Sequence, residues 1–246
     1  MIASIQYNEQ TYKVDLSKPM DISLSIKVGG VKAWYVDEPT YEPVKIGNWI
    51  GDVKQGGSVN FRNVFFNPHG HGTHTECVGH ISKEDYSVNN SLKQFHFIAQ
   101  LISVLPEEIN DDFIITKKTL EPFLENNSTE AIIIRTLSNS TEKIDKNYSN
   151  TNPSFIDEDA MKYIVEKGFN HVLLDTPSVD KEQDGGKLLA HHAFWQYPEN
   201  TNTFRTITEL VFINDEIKDG IYLLNLQVAA FENDAAPSRP VLFQLI

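Results

Sequence analysis

The apolar residues of this chain fall into short runs of two kinds, and their spacing predicts a mixed α/β fold. The mostly apolar segments 95–104 and 131–136 are typical of strands that are buried on both faces. Apolar residues at helical spacing within 157–167 predict an amphipathic helix. A further segment at 171–174, apolar after its first residue, completes a strand, helix, strand order, which favours a pair of parallel strands.

Shorter patterns extend this picture at both ends of the chain. The alternation within 5–16 predicts a β-hairpin at the edge of a sheet, and the alternation within 221–231 predicts a further strand. Thr116 is positioned to cap a short helix, and 187–195 has the composition of another. We therefore expect a single strand-rich mixed α/β domain that spans residues 1–246.

Composition and charge narrow the classes of function. Apolar residues make up 40% of the chain and charged residues 22%, as in ordinary globular proteins. The formal net charge of −13 argues against binding to nucleic acid or to an anionic membrane. No apolar run is long enough to cross a membrane, and the N-terminus does not resemble a signal peptide. A lone cysteine, Cys77, fits a reducing compartment, so we expect a cytoplasmic protein.

The chemistry of the chain is concentrated in residues 67–80. Four of the eight histidines fall there, together with one glutamate. Three glycines and a proline exclude a regular helix, so we expect a loop beside the sheet. In an extended segment, alternate residues share a face, which would place His74, Glu76 and His80 together. Imidazoles beside a carboxylate are suited to a divalent transition metal, although a polar, glycine-rich surface loop is the alternative.

The same stretch resembles the signature of the metal-dependent cyclase family, which includes the bacterial kynurenine formamidases. That signature reads H-x-G-T-H-x-D-x-P-x-H. Residues 72–74 match G-T-H, and His80 matches the last histidine. Glu76 stands where the family has aspartate, Val78 stands where it has proline, and Gly70 occupies the first histidine position.

Glycine has no side chain that could bind a metal. The departure at Gly70 therefore leaves undecided which residue would supply the first imidazole. His69 and His71 flank it and would point to opposite sides of an extended segment. A bulge at Gly70 would let His69 reach the site without moving His74, so we favour His69 over His71.

Other segments resemble family motifs in the family's own order. Residues 15–19 resemble the opening D-L-S-H-P, residues 171–180 resemble G-I-D-T-P-S-I-D, and residues 234–239 resemble the closing D-G-x-P-x-R. The family places a histidine ligand soon after the second of these motifs, where His191 and His192 lie, and we favour one ligand from that pair.

The resemblance implies a site for one or two divalent ions, zinc or manganese, with Glu76 as the bridge. It also implies a homodimer or higher homo-oligomer in which aromatic residues of one subunit lie near the pocket of the next. Trp34 would line the pocket for a small-molecule substrate, although a Trp packed at the rim of the core is an equal alternative. The implied ligands are one of His69 or His71, His74, Glu76, one of His191 or His192, and Glu209.

The resemblance further implies hydrolysis of an amide or ester bond, cyclic bonds included, in an arylformamidase-like reaction with metal-activated water. His80 would act as the acid/base, because amide hydrolysis requires delivery of a proton to the leaving amine. Cys77 is a poor nucleophile candidate, since it would lie on the opposite side from Glu76. The alternative is a non-catalytic or altered-specificity family member that binds a metal or a small acid.

Overall fold

The structure is a computed structural model that describes residues 1–125 and 128–246. Its strands are β1 (Ile2–Tyr7), β2 (Gln10–Asp15), β3 (Met20–Asp21), β4 (Thr40–Pro43), β5 (Lys45–Ile46), β6 (Trp49–Ile50), β7 (Arg62–Phe65), β8 (His74–Glu76), β9 (His96–Val104), β10 (Glu107–Ile109), β11 (Asp112–Ile115), β12 (Ala131–Thr136), β13 (Phe155–Ile156), β14 (His171–Leu174), β15 (Thr206–Glu209), β16 (Gly220–Asn225), β17 (Ala235–Pro237) and β18 (Val241–Gln244). Its α-helices are α1 (Val88–Ser91), α2 (Lys117–Leu124), α3 (Glu158–Glu166) and α4 (Leu189–Trp195), and its 3₁₀ turns are Val53–Gln55, Val78–His80 and Thr141–Ile144.

A nine-stranded mixed sheet organises the fold, in the order β17-β8-β15-β14-β12-β9-β16-β18-β3. The four strands β15, β14, β12 and β9 are parallel to one another, and antiparallel strands extend the sheet on both sides. The parallel pair expected between 131–136 and 171–174 is confirmed, since Ile132 pairs with Val172. The mixed α/β class predicted from the sequence is confirmed as well.

Apolar side chains cover both faces of the central strands. Ile132 and Ile134 of β12 pack with the helices, where Met161 and Phe194 join the same buried cluster. Ile133 points to the opposite face and joins a second buried cluster. This two-sided burial explains why β12 is a continuous apolar run rather than an alternating one.

The two longest helices begin where the sequence predicts. Asp157 caps α3, because its Oδ1 accepts a hydrogen bond from the Ala160 N–H at 2.6 Å. Thr116 caps α2 in the same way through the N–H of Thr119, at 3.4 Å. A side chain at the cap satisfies a backbone donor that has no partner within the helix, so both starts are set locally.

Two strand predictions need correction. The hairpin of β1 and β2 forms, but as a two-stranded sheet of its own rather than as the edge of the main sheet. The strand expected over 221–231 ends at Asn225. Asn225 pairs with His96, which is the first residue of β9, so the ladder has no partner strand beyond that point.

Residues 40–65 form two small ribbons outside the main sheet, β4 with β7 and β5 with β6. Several large apolar side chains on these ribbons are exposed, among them Ile46, Phe61 and Phe65. Within residues 1–125 and 128–246, no helix has the length and apolar character needed to cross a membrane.

Candidate metal centre

The middle of the histidine stretch is a strand of the main sheet. β8 lies between β15 and β17, with His74 opposite Glu209 and Glu76 opposite Ile207. Residues 67–73 form the expected loop, but the loop prediction is wrong for His74–Glu76, because backbone pairing on both sides draws them into the sheet. His74 and Glu76 are two residues apart on a strand, so both face the same side, and both are fully buried.

His80 reaches the cluster through a turn rather than through strand alternation. It ends the 3₁₀ turn Val78–His80, which folds the chain back so that its Nδ1 lies 3.8 Å from Glu76 Oε2. Gly79 lets the backbone of Tyr86 lie against this turn, since a Cβ there would stand only 2.2 Å from the carbonyl oxygen of Tyr86.

Glu76 stands at the centre of the cluster. Its Oε1 lies 3.2 Å from His191 Nε2, and its Oε2 lies 3.0 Å from His69 Nδ1. Beside it, His74 Nε2 lies 3.3 Å from Glu209 Oε2. Five of the residues predicted from the sequence as ligands are therefore neighbours in space.

Three of the four clustered imidazoles present their second ring nitrogen to an oxygen away from Glu76. His69 Nε2 lies 2.7 Å from Asp234 Oδ2, and His191 Nδ1 lies 2.5 Å from Asp180 Oδ2. His74 Nδ1 lies 3.2 Å from the backbone oxygen of Gly72. The sequence analysis did not assign Asp180 or Asp234 to the site, although both belong to the family-like segments 171–180 and 234–239.

The ionisable side chains of the cluster shift one another's pKa values. Burial disfavours a charged imidazole, but the carboxylates of Asp234 and Glu76 outweigh that effect and raise the pKa of His69 to about 10. Burial acts in the same direction on His191, and Asp180 and Glu76 raise its pKa to about 10. Burial opposes ionisation of Glu76 too, yet the surrounding imidazoles hold its pKa well below the ordinary value. Protons on these rings balance the carboxylates, and a divalent cation would balance the same charge.

The donor atoms fit a transition metal. Three sets of side chains place their nitrogen and oxygen atoms within 4.8 Å of one another. Among the described residues, the buried atoms His74 Nε2 and Glu76 Oε2 have no hydrogen-bond partner of good geometry. Imidazole nitrogen with carboxylate oxygen is a donor set that suits divalent transition metals. The three sets are His69, His74 and Glu76; His69, His80 and Asp234; and Glu76, His80 and His191.

The structure separates the histidines that the sequence left as alternatives. His71 is engaged elsewhere, because its Nδ1 accepts the Asn67 N–H at 2.9 Å and its Nε2 donates to the Asp37 carbonyl at 2.7 Å. His192 donates through Nδ1 to the Tyr197 carbonyl at 3.0 Å. His69 and His191 are thus the members of each pair that lie in the cluster, and their role as ligands stays a prediction.

A cavity of about 190 Å³ opens beside the cluster, with Trp34 on its wall. Cys77 lies outside this cavity; its Sγ donates to the Tyr86 carbonyl at 3.6 Å, and burial raises the pKa of the thiol. His96 is exposed and contacts Asn225, so it is remote from the site. The lining residues are Trp34, His69, His80, Ser178, Asp180, Lys181, Glu182, Asp184, Leu188, His191 and Glu209.

The chain is similar to known proteins of one family. The sequence profile of a family described as putative cyclase matches residues 14–181, which is more than half of the chain. The chain belongs to the cyclase family. The cyclase profile includes the whole histidine stretch and ends just after Asp180.

Cyclase relatives match over nearly the full chain. A kynurenine formamidase of Bacillus thuringiensis is 29% identical over 236 residues, which cover 93% of this chain and 96% of the relative. A solved structure described as a predicted metal-dependent hydrolase from Bacillus stearothermophilus is 18% identical, with a TM-score of 0.63, over 92% of this chain and 98% of the other. Isatin hydrolase A from Labrenzia aggregata is 12% identical, with a TM-score of 0.67, over 92% and 93%. At these identities, the two solved structures support the fold alone.

Proposed function

We propose that this cyclase is a metal-dependent hydrolase that acts on a carbon–nitrogen bond of an amide, in an arylformamidase-like reaction. The observation that carries the proposal is the buried Glu76, which is surrounded by imidazoles and has one oxygen without a hydrogen bond among the described residues. The kynurenine formamidase relatives support a reaction at an amide bond. Ester and cyclic amide substrates belong to the same chemistry, because each has a carbonyl carbon that water can attack.

The proposed site would hold one or two divalent ions, zinc or manganese. A divalent ion bound there would polarise the substrate carbonyl and make a water molecule more acidic. Glu76 can reach two such ions, since its two oxygens face different imidazoles. The proposed ligands are His69, His74, Glu76, His191 and Glu209.

His80 is the proposed acid/base. Its Nδ1 lies 3.5 Å from Asp234 Oδ2 and 3.8 Å from Glu76 Oε2. Its ring also lines the cavity, so a proton on it is within reach of a bound substrate. It can therefore take a proton from water and donate one to the leaving amine.

Trp34 is the proposed contact for the substrate. It lines the cavity together with Leu188 and the polar groups of the cluster. An aromatic ring beside polar groups is a common arrangement for holding a small molecule in a fixed orientation. The cavity volume of about 190 Å³ is in keeping with a small substrate rather than a polymer.

Metal analysis followed by turnover tests would decide the proposal. The purified protein is stripped with a chelator, reloaded with zinc or manganese, and assayed with N-formylkynurenine and with isatin as a cyclic amide. We expect bound metal and turnover that depends on it. Metal binding without turnover of any amide or ester would favour the non-catalytic alternative, in which the longer Glu76 side chain alters the site. A protein that binds no metal would refute the proposal.

We also propose that the protein is a homodimer or a higher homo-oligomer and that it acts in the cytoplasm. The ribbons of residues 40–65 support the first point, because Ile46 is 66% exposed, Phe61 is 56% exposed and Phe65 is 72% exposed. Clustered apolar exposure of this kind marks interaction surfaces. Light scattering at micromolar concentration should give a mass of at least twice 27.9 kDa, and a clean monomer would contradict the assembly.

A further inference from the structure

The two imidazoles that flank Glu76 are held in opposite orientations. His191 presents its Nε2 to Glu76 and its Nδ1 to Asp180. His69 presents its Nδ1 to Glu76 and its Nε2 to Asp234. A neutral imidazole has one N–H donor and one lone pair, so a carboxylate that receives the N–H leaves the lone pair on the other nitrogen. In both rings, that other nitrogen faces Glu76.

Asp180 is held in place by three hydrogen bonds that do not involve the imidazole ring of His191. Its Oδ1 accepts the Ala190 N–H at 2.9 Å, and its Oδ2 accepts the His191 N–H at 3.1 Å. Its own N–H donates to Ser178 Oγ at 3.0 Å. The carboxylate therefore joins the 171–180 segment to the first turn of α4, and its contact with the ring fixes the direction in which His191 points.

Asp234 is fixed by the sheet. Its carbonyl oxygen accepts the Cys77 N–H at 3.0 Å, and the next residue, Ala235, pairs with Glu76 across β17 and β8. Gly79 lets this segment approach, since a Cβ there would stand 3.1 Å from the Cβ of Asp234. The position of this carboxylate relative to Glu76 is thus determined by backbone pairing rather than by a mobile loop.

We infer that Asp180 and Asp234 are positioning residues that determine which ring nitrogen of His191 and of His69 binds the metal. This inference rests on the metal site of the proposed function. It gives a specific result: His191 binds through Nε2, whereas His69 binds through Nδ1. A carboxylate behind a metal-binding histidine holds the tautomer and the ring direction and makes the imidazole a better donor.

Nitrogen NMR of the zinc-loaded protein tests the assignment directly. Histidine labelled with ¹⁵N reports which ring nitrogen carries a proton and which one binds zinc. We expect the proton of His191 on Nδ1 and the proton of His69 on Nε2. Binding of zinc through the same nitrogen in both rings, or the reverse assignment, would overturn the inference. This measurement uses the unaltered protein, so it does not depend on whether a variant folds.

Metal affinity of carboxamide variants provides the second test. D180N and D234N should each weaken zinc binding by about 10- to 100-fold in competition with a chelating dye. Two control carboxylates bond to groups outside the cluster: Asp219 accepts the Ser103 N–H and hydroxyl, and Glu232 accepts the Ser87 hydroxyl. D219N and E232Q should leave zinc affinity within about twofold of the original.

The outcomes separate this inference from the proposed function, because neither measurement uses turnover. Equal zinc affinity in D180N, D234N and both controls would overturn the inference, and so would an equal loss in all four. A protein that has the expected ring protonation but hydrolyses no amide would refute the proposed function and leave the inference intact. A protein that binds no zinc would overturn both, and the NMR spectra would then show no zinc-bound nitrogen.

Discussion

Two buried carboxylates of this protein, Glu76 and Asp175, are surrounded in different ways. Asp175 Oδ2 accepts the Thr136 N–H at 2.9 Å and lies 2.7 Å from Lys143 Nζ, while its Oδ1 accepts the Thr136 hydroxyl at 2.9 Å. Glu76 faces imidazoles, and among the described residues its Oε2 has no hydrogen bond. The first carboxylate is fully bonded within the protein, and the second is not.

The difference extends to the partner groups. A lysine has donors and no lone pair when charged, so Lys143 cannot share a cation with Asp175. An imidazole that loses its proton becomes a metal ligand, so the partners of Glu76 can bind the cation that would replace their protons. Burial raises the pKa of Asp175 despite the nearby Lys143, whereas the imidazoles lower the pKa of Glu76 despite its burial. The Asp175 pair therefore has a structural role, and the Glu76 group has the properties of a binding site.

The largest expected effect comes from E76Q. Glutamine keeps the length of the side chain but removes the charge that holds the cations. We expect loss of bound metal and a fall in kcat/KM of at least about 10³-fold, since metal activation is worth several kcal/mol. Metal analysis and the N-formylkynurenine assay measure the two effects, and circular dichroism checks the fold. A variant that keeps its metal would show that the two carboxylates do not differ as described.

The matched change at the other carboxylate is D175N. It leaves the partly buried Lys143 with a weaker partner, so the free energy of unfolding should fall by about 3 kcal/mol. Metal content per folded molecule should stay unchanged, because Asp175 does not belong to the cluster. Urea unfolding and metal analysis test both statements. Loss of metal from a variant of unchanged stability would contradict the comparison.

The metal-free cluster should also make stability depend on pH. The pKa values of His69 and His191 rise from the ordinary value of 6.5 to about 10 on folding. A raised folded-state pKa adds stability that is fully present below about pH 6.5 and is lost as the pH rises through about 10. Urea unfolding of the metal-free protein should therefore show a loss on the order of a few kcal/mol across this window. A free energy of unfolding that does not change with pH would mean that these rings are not paired with the carboxylates in solution. As a control, the D175N variant should retain the same pH dependence.

The sequence predicts the elements whose signals are local. The run at 131–136 and the spacing in 157–167 depend only on burial and helical period, and both elements form close to the expected residues. β8 has no such signal, because His74–Glu76 is short and polar, and only pairing with β15 and β17 makes it a strand. An expectation based on composition therefore assigned these three residues to a loop.

The site residues also divide into those that the sequence predicts and those whose role depends on the folded structure. The resemblance to the cyclase signature, together with a bulge at Gly70, favours His69 as the replacement for the family's first histidine. The structure places the His69 ring in the cluster. Asp180 and Asp234 were missed because their role depends on which groups they meet after folding, 11 residues away for His191 and 165 residues away for His69. A carboxylate in a family-like segment was the available signal, but sequence alone does not give the direction of a side chain.

The smallest expected effect is at His192, and it tests how sharply the site is bounded. His191 and His192 are neighbours on α4, yet the first is 1% exposed within the cluster and the second bonds to the carbonyl of Tyr197. H192Q should cost about 1 kcal/mol of stability at most, because a single hydrogen bond is lost, and kcat/KM should stay within about twofold. H191Q is the matched comparison and should lose metal. If H192Q lost metal as well, His192 would contribute to the site despite its bond to Tyr197. The distinction between groups bonded within the protein and groups free to bind a metal would then fail for adjacent residues.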